Sequence, residues 1–146
     1  MSEFTDASHF ADDLLKMADY FNGSFEKIIR KACIDLYRRI VERTPVDTGR
    51  AKASWQLATY HDDYERPDGE YSASDIQGFI NEQIDGLQID IHEGGIVVIY
   101  NNLEYIEQLE NGTSQQAPEG MVEVSLSEFE AHFREALRGF KGISST

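Results

Sequence analysis

The sequence has one cysteine, Cys33, and only three prolines in 146 residues. A single cysteine excludes a disulfide within the chain and is typical of a protein made in a reducing cytoplasm. Long apolar runs are also missing, since no stretch approaches the roughly 20 residues that a membrane-spanning helix needs. The beginning of the sequence is acidic and amphipathic, unlike a secretory signal peptide. We therefore expect no membrane association.

Positive charge is scarce as well: 13 Lys and Arg residues accompany 27 Asp and Glu residues, which gives a net charge of −14. Phosphate backbones repel such a chain, so we expect no specific nucleic-acid binding. Hydrophobic residues make up 40% of the sequence, which is enough for one modest core. The sequence shows neither internal repeats nor a linker, and it predicts a single domain over residues 1–146 with a flexible tail at 141–146.

Two long helices are predicted from apolar residues that recur every three or four positions. The first stripe covers residues 10–40, with a kink or a short break at residues 22–24. Pro45 ends this helix, because proline lacks a backbone donor and restricts the residue before it. The second stripe covers residues 122–140.

Strand signals lie between the two long helices. Residues 54–60 alternate apolar and polar side chains, after a turn at 46–49 in which Gly49 is free to adopt positive φ. Residues 87–91 and 96–100 flank the Glu-Gly-Gly sequence at 93–95, a pattern typical of a β-hairpin.

Shorter elements complete the predicted fold. Residues 61–71 are acidic and predict an exposed loop. Ser74 and Asp75 are candidate caps of a short helix that ends at Gly86, and a further short helix is predicted around residues 105–109. The resulting fold class is α+β: two long helices packed on a small antiparallel β-sheet, with an additional short helix and a hairpin.

Candidate metal ligands do not form a recognised pattern. The four histidines are not arranged with cysteines as in a structural zinc site. Glu128 and His132 share one helix face and could bind a metal together, but two ligands do not make a site, and a solvated helix face is strongly favoured. The carboxylates at residues 62–70 lack EF-hand spacing, which favours a solvated loop over a flexible cation-binding one.

Candidate reactive groups have simple structural interpretations. Glu104, Glu107 and Glu110 recur every third residue, which is typical of one hydrated helix face. Cys33 lies within an apolar stripe and predicts a buried, inert thiol. Trp55 belongs either to the core or to an interface, and the core is favoured.

Arg50 and Lys52 supply positive charge just after the turn at 46–49. Two interpretations carry equal weight. A local salt bridge with Asp47 or Glu42 is the first. A contact with the acidic surface of a neighbouring subunit is the second.

Two short blocks are the most specific feature of the sequence. Residues 44–50 read Thr-Pro-Val-Asp-Thr-Gly-Arg and lead to Trp55. Residues 101–122 contain Asn-Asn-Leu-Glu-Tyr, Leu-Glu, Gly-Thr-Ser and Gln-Ala-Pro-Glu-Gly-Met-Val. In this order and spacing, over residues 25–140, the chain resembles the neck and tail-completion proteins of tailed bacteriophages, also described as head–tail joining or minor tail proteins. Glu104 departs from the pattern, because a proline is usual there.

The resemblance implies a structural virion protein at the head–tail junction, made in the cytoplasm of the bacterial host. It implies no catalytic residues, no cofactor and no metal. Its implied partners are further copies of the chain in a ring, connector or adaptor proteins, and tail terminator or tail tube proteins. Six copies are expected from the symmetry of such tails, and twelve if the protein lies on the portal side.

The two blocks also supply the predicted subunit or partner interface. We expect the segment 111–120 to dock against a neighbouring subunit, with Gly112 allowing close backbone approach. The predicted interface residues are Asp47, Gly49, Arg50, Trp55, Tyr105, Glu110, Gly112, Ser114, Gln116 and Pro118.

Two other classes of function are compatible with the sequence. A small metal-dependent hydrolase would use Glu104, Glu107 and His132, and tight stoichiometric binding of Zn²⁺ or Mn²⁺ would indicate it. An acidic regulatory binding protein, such as a DNA mimic, is the other. Such mimics spread carboxylates along one long face, whereas here they concentrate in residues 61–70 and in the last third.

Overall fold

A computed structural model describes residues 23–90 and 96–138 of the chain. These residues form five helices and one antiparallel sheet of two strands, which confirms the α+β class. In chain order they are α1 (Gly23–Arg43), α2 (Arg50–Ala53), β1 (Gln56–Ala58), α3 (Ala73–Gly86), β2 (Val98–Tyr100), α4 (Ile106–Glu110) and α5 (Val122–Arg138). Among these helices, none is long and apolar enough to cross a membrane.

The core lies between α1, the sheet, α3 and the segment that leads into α5. Its buried apolar side chains come from α1, α2, β1, α3 and the segments that follow α3 and precede α5, so these parts of the chain pack around one core. The buried members are Tyr37, Ile40, Val41, Ala53, Trp55, Leu57, Ile76, Leu87, Ala117 and Met121.

Helix α1 ends at Arg43, two residues before Pro45, as the sequence predicts. The Thr44 hydroxyl donates to the carbonyl of Ile40 at 2.7 Å and thereby satisfies one carbonyl of the last turn. Gly23 and Ser24 belong to the helix, and the predicted stripe before them lies outside the described residues.

The pairing of β2 differs from the predicted hairpin. Val98–Tyr100 pairs with Gln56–Ala58, and Leu57 lies opposite Ile99. Residues 87–90 form no strand, and the predicted turn at 93–95 lies outside the described residues. The guanidinium of Arg30 explains part of this difference, because it binds the carbonyl oxygens of Ile84 and Leu87 and fixes Leu87 at the end of α3.

Local caps explain two further differences. Gly49 has φ of 86° and starts the unpredicted single-turn helix α2, which shortens the predicted strand 54–60 to Gln56–Ala58. Helix α3 is capped by Ser72 rather than by Ser74. Ser72 and Asp75 form a reciprocal capping box, in which each side chain accepts from the backbone N–H of the other.

Helix α5 packs along α1 and completes the pair of long helices. Arg39 and Arg43 of α1 both bind the carboxylate of Glu128, with 2.9 Å between Arg39 Nη1 and Glu128 Oε2. Ser125 and Phe133 of α5 are buried. The predicted tail at 141–146 lies outside the described residues.

Candidate functional site

The two sequence blocks meet in the folded chain. The side-chain amide of Gln116 pairs with both backbone groups of Val46, although the two residues are 70 positions apart. Val46 N–H donates to Gln116 Oε1 at 2.8 Å, and Gln116 Nε2 donates to Val46 O at 3.0 Å. One side chain therefore fixes the turn at 46–49 against the segment 111–120.

A surface depression of about 430 Å³ lies at this junction. It is open to solvent and bounded by the turn, by α4 and by the segment that follows α4. Six of the ten predicted interface residues line it, and they are Asp47, Gly49, Arg50, Tyr105, Ser114 and Gln116.

Arg50 ties the acidic loop to this depression. Its Nη1 lies 2.8 Å from Asp68 Oδ1, and its Nε donates to the carbonyl of Arg66 at 2.8 Å. Arg50 therefore forms a local ion pair, as one of the two interpretations predicted. Its partner is Asp68 rather than Asp47 or Glu42, because the acidic loop folds back over α2. Burial raises the pKa of the nearby Tyr105 phenol, and the Arg50 guanidinium opposes that shift.

Gly49 allows the turn to approach the loop closely. A Cβ added to Gly49 would lie 2.3 Å from the carbonyl oxygen of Tyr71, and Tyr71 N–H donates to Thr48 O at 2.7 Å. Its φ of 86° also lies in the left-handed region that favours glycine. The positive φ expected from the sequence is confirmed.

Gly112 makes its close approach within its own chain. Its φ is 85°, and an added Cβ would lie 2.3 Å from the carbonyl oxygen of Pro118. Gly120 has the same relation to the carbonyl oxygen of Glu110. The segment 111–120 is thus closed on itself at both ends, and a valine at Gly112 would distort it before any neighbouring subunit was reached.

Glu110 caps helix α5, a role that its position on α4 did not suggest. Its Oε1 accepts from the N–H groups of Met121 and Val122 at 2.8 Å each, and its Oε2 accepts from Glu123 N–H at 3.0 Å. A carboxylate there satisfies three unpaired donors and complements the helix dipole. Glu107 is exposed, so the hydrated-face interpretation holds for Glu107 and is wrong for Glu110.

Asn102 of the second block anchors the acidic loop. Its Nδ2 donates to the carbonyl oxygens of Asp62 and Tyr64 at 2.8 and 2.9 Å, and its Oδ1 lies 2.8 Å from His61 Nε2. Tyr100 adds a bond from its hydroxyl to Asp62 Oδ1 at 2.9 Å. The loop is exposed but held at several points, and the hydrogen bonds that Asp62 accepts from Tyr64 N–H and Tyr100 lower its pKa.

Four predicted interface residues do not line the depression: Glu110 and Gly112, described above, and Trp55 and Pro118. Trp55 is 5% exposed, and its Nε1 donates to Thr44 Oγ1 at 2.8 Å, so the favoured core position is confirmed. Pro118 lines a second depression of about 420 Å³, and Val46 and Gln116 line this depression as well.

The candidate reactive groups are placed as follows. In the described part of the chain, no three His, Cys, Asp or Glu side chains are grouped so that they could hold a metal ion, and Glu104, Glu107 and His132 therefore form no such set. The Glu128 carboxylate is bound by two arginines. Burial raises the pKa of the Cys33 thiol to about 11, which leaves it protonated and unreactive at neutral pH.

The contacts at this site join side chains to the backbone of distant segments. Gln116 binds the turn, Arg50 binds the acidic loop, and Glu110 binds the start of α5. Sequence reasoning missed these partners because no local motif links the residues involved. The run of polar residues in the second block marks Gln116 and Glu110, whereas Arg50 lies in the first block and its expected local partners were Asp47 or Glu42. Comparisons with known protein families, curated proteins and solved structures found no match to the chain.

Proposed function

We propose that the chain is a structural virion protein that joins the head of a tailed bacteriophage to its tail. It assembles into a ring and docks between connector or adaptor proteins and the proteins of the tail. The resemblance of the two sequence blocks supports this proposal. The observation that carries it is the double hydrogen bond between Gln116 and Val46, which makes one fixed surface from both blocks.

That surface has the properties of a docking site. Val46 is 45% exposed and Tyr105 is 37% exposed, and both lie at the depression of about 430 Å³. Exposed aromatic and apolar side chains beside a concave surface are typical of protein interfaces. The Gln116 and Arg50 contacts hold the surrounding loops in place, so less conformational entropy is lost when a partner binds.

Ring assembly follows from the same proposal. Six copies match a sixfold tail, and twelve copies match the portal side. The role requires no catalysis and no cofactor.

A stop codon at Trp55 in the parent phage tests the role in the particle. We expect electron micrographs of the lysate to show filled heads beside separate tails, or tails with defective ends. A plasmid that supplies the intact chain should restore joined particles. Normal infectious particles in the absence of the chain would overturn the proposal.

A pair of variants tests the surface itself. Val46→Asp places a charge at the junction of the two blocks, whereas Leu126→Asp makes the same change on α5, where the side chain is 38% exposed. Supplied to the stop-codon phage, the Leu126 variant should restore infectivity and the Val46 variant should not. Equal restoration by both folded variants would exclude this surface as the docking site.

A further inference from the structure

We propose that neighbouring copies contact each other head to tail, with the acidic loop of one copy on a cationic stripe of the next. The acidic loop is residues 61–70, and the cationic stripe is Lys27, Lys31 and Arg38 of α1. This inference rests on the proposed ring and names the contact that would build it.

The cationic stripe is a narrow row on one exposed face of α1. Positions 27, 31 and 38 lie within about 40° of one another around a helix with 3.6 residues per turn, and they span about 16 Å along its axis. All three side chains are exposed. Asp35 and Glu42 lie about 40–60° to one side of the centre of this row and border it with negative charge, but neither forms an ion pair with the row in the described residues.

The stripe is uncommitted within the described part of the chain. None of its three residues makes an ion pair or a hydrogen bond there. The other arginines near the core are engaged: Arg30 binds two carbonyls at the end of α3, and Arg50 binds Asp68. In a chain with a net charge of −14, a row of cations that no described residue pairs with is the surface that an acidic partner would recognise.

The acidic loop supplies the opposite charge from a prearranged backbone. Asp63, Glu65 and Glu70 are exposed, and no ion pair engages them in the residues that the structure describes. Asn102 holds the first part of the loop, and Arg50 holds the second. A loop that is already held in this way loses little further conformational entropy when a cationic surface binds it.

Two exposed tyrosines, one within the acidic loop and one immediately before it, add contact area to the charge. Tyr60 is 66% exposed and Tyr64 is 43% exposed. The Tyr64 ring already lies 5.4 Å from the guanidinium carbon of Arg66, which places a cation over an aromatic face. Tyrosine among charged groups is typical of interfaces.

A second copy is the occupant that the charges favour. Two copies at −14 repel each other unless a positive patch of one meets a negative patch of the other. A contact between two different patches is heterologous, and repeated heterologous contacts close into rings when the rotation allows. One acidic loop and one cationic stripe on each copy therefore provide the type of contact that the proposed ring needs.

Zero-length cross-linking of the purified full-length chain tests the contact directly. A carbodiimide joins a carboxylate to a lysine amine only where the two touch. An equal mixture of ¹⁴N- and ¹⁵N-labelled protein, at low salt and high concentration, separates links between copies from links within one. We expect mixed-label links from Lys27 or Lys31 to Asp63, Glu65 or Glu70. Their absence would overturn the inference, as would links of a single label alone.

Charge reversal supplies the matched control. Lys27→Glu, Lys31→Glu and Arg38→Glu together move the net charge to about −20, and Asp63→Lys, Glu65→Lys and Glu70→Lys together move it to about −8. We expect each triple variant alone to lose association by sedimentation, and an equal mixture of the two to regain it. If the reversed-loop variant, at about −8, associates more strongly alone than in the mixture, the net charge controls association rather than the pairing of the two patches. In that case the inference fails.

These outcomes are separate from the test in the phage. Normal particles without the chain would refute the junction role while leaving the cross-links in purified protein unchanged. Conversely, a joining defect without mixed-label cross-links would preserve the junction role and reject this contact.

Discussion

Gly112 combines two constraints at a single residue. Its φ of 85° strains any L-residue, and an added Cβ would meet the carbonyl oxygen of Pro118 at 2.3 Å. We expect Gly112→Ala to lower the free energy of unfolding by about 1–3 kcal/mol, measured by urea denaturation.

Gly78 provides the control for that substitution. It lies within α3, has no atom within 4 Å of an added Cβ and has no positive φ. Gly78→Ala should therefore raise the free energy of unfolding by about 0.5–1 kcal/mol, because alanine loses less backbone entropy in a helix. Equal changes at both positions would show that the close approach at Gly112 has no energetic weight.

Single residues were predicted well where their role is local. The positive φ of Gly49 and the burial of Trp55 follow from turn chemistry and from the apolar pattern around them, whereas Cys33 is only half-buried. The roles of Gln116 and Glu110 did not follow, because their partners are 70 positions away and 11 to 13 positions away, respectively. A side chain that binds a distant backbone leaves no periodic trace in the sequence.

At the scale of the element, Glu110 determines how helix α5 begins. Its carboxylate accepts three backbone N–H groups at the first turn. We expect Glu110→Ala to lower the free energy of unfolding by about 1–2 kcal/mol, since three donors lose their acceptor. Glu107→Ala, an exposed position on the same short helix, should change it by less than about 0.5 kcal/mol.

Those two variants can be compared by thermal or urea denaturation monitored by circular dichroism. If Glu110→Ala and Glu107→Ala are equally stable, the cap is not a stabilising contact. A loss of helical ellipticity before unfolding, with an unchanged midpoint, would indicate that only the start of helix α5 frays.

The pairing of α1 with α5 should depend on pH through Glu128. The hydrogen bond from Arg43, followed by the charge of Arg43 and the contacts of Arg39, lowers the pKa of Glu128 below its ordinary value of 4.5. A lowered pKa in the folded state stabilises the protein above the ordinary pKa, and this contribution is lost as the pH falls through the folded value.

The corresponding comparison is Glu128→Gln against the unmodified chain across pH 7 to 3. We expect the variant to be less stable near neutrality, and the difference to shrink once the pH falls below about 4.5. In a background that carries Arg39→Gln and Arg43→Gln, the same substitution should have little effect at any pH. A constant difference in both backgrounds would contradict the ion-pair explanation.

The long and capped elements were the predictable part of the fold. The end of α1 before Pro45 and the existence of α4 and α5 follow from apolar spacing and from breaker residues. The pairing of β2 with β1 did not follow, because a hairpin signal describes neighbours in sequence, whereas Arg30 holds Leu87 at the end of α3. Helix α2 was missed because four residues carry too little periodicity.

For the whole molecule, net charge sets the response to salt. A chain at −14 repels itself in the compact state, and salt screens this repulsion. We expect the Tm to rise between about 20 mM and about 500 mM NaCl, as the Debye length falls well below 10 Å. A scanning calorimeter measures this shift, and the reversed-stripe variant at about −20 should show a larger one.

Association should respond in the opposite direction to the same salt. Screening weakens attraction between the acidic loop and the cationic stripe, so mixed-label cross-links should decrease as the Tm increases. An unchanged or lower Tm at high salt would show that local pairs such as Arg39 with Glu128 outweigh the general repulsion. The fold class was predictable at this scale; the virion role remains a proposal supported by the two blocks.

The closed segment after α4 has a consequence for homologous sequences. Gly112 lies against the carbonyl of Pro118, and Gly120 lies against that of Glu110, so each end of the segment is matched to the other. Adding or removing one residue between them would move a glycine away from its carbonyl. Substitutions at exposed positions such as Gln115 are compatible with this closure, whereas insertions and deletions are not. Constant length, more than constant identity, should mark this segment among related proteins.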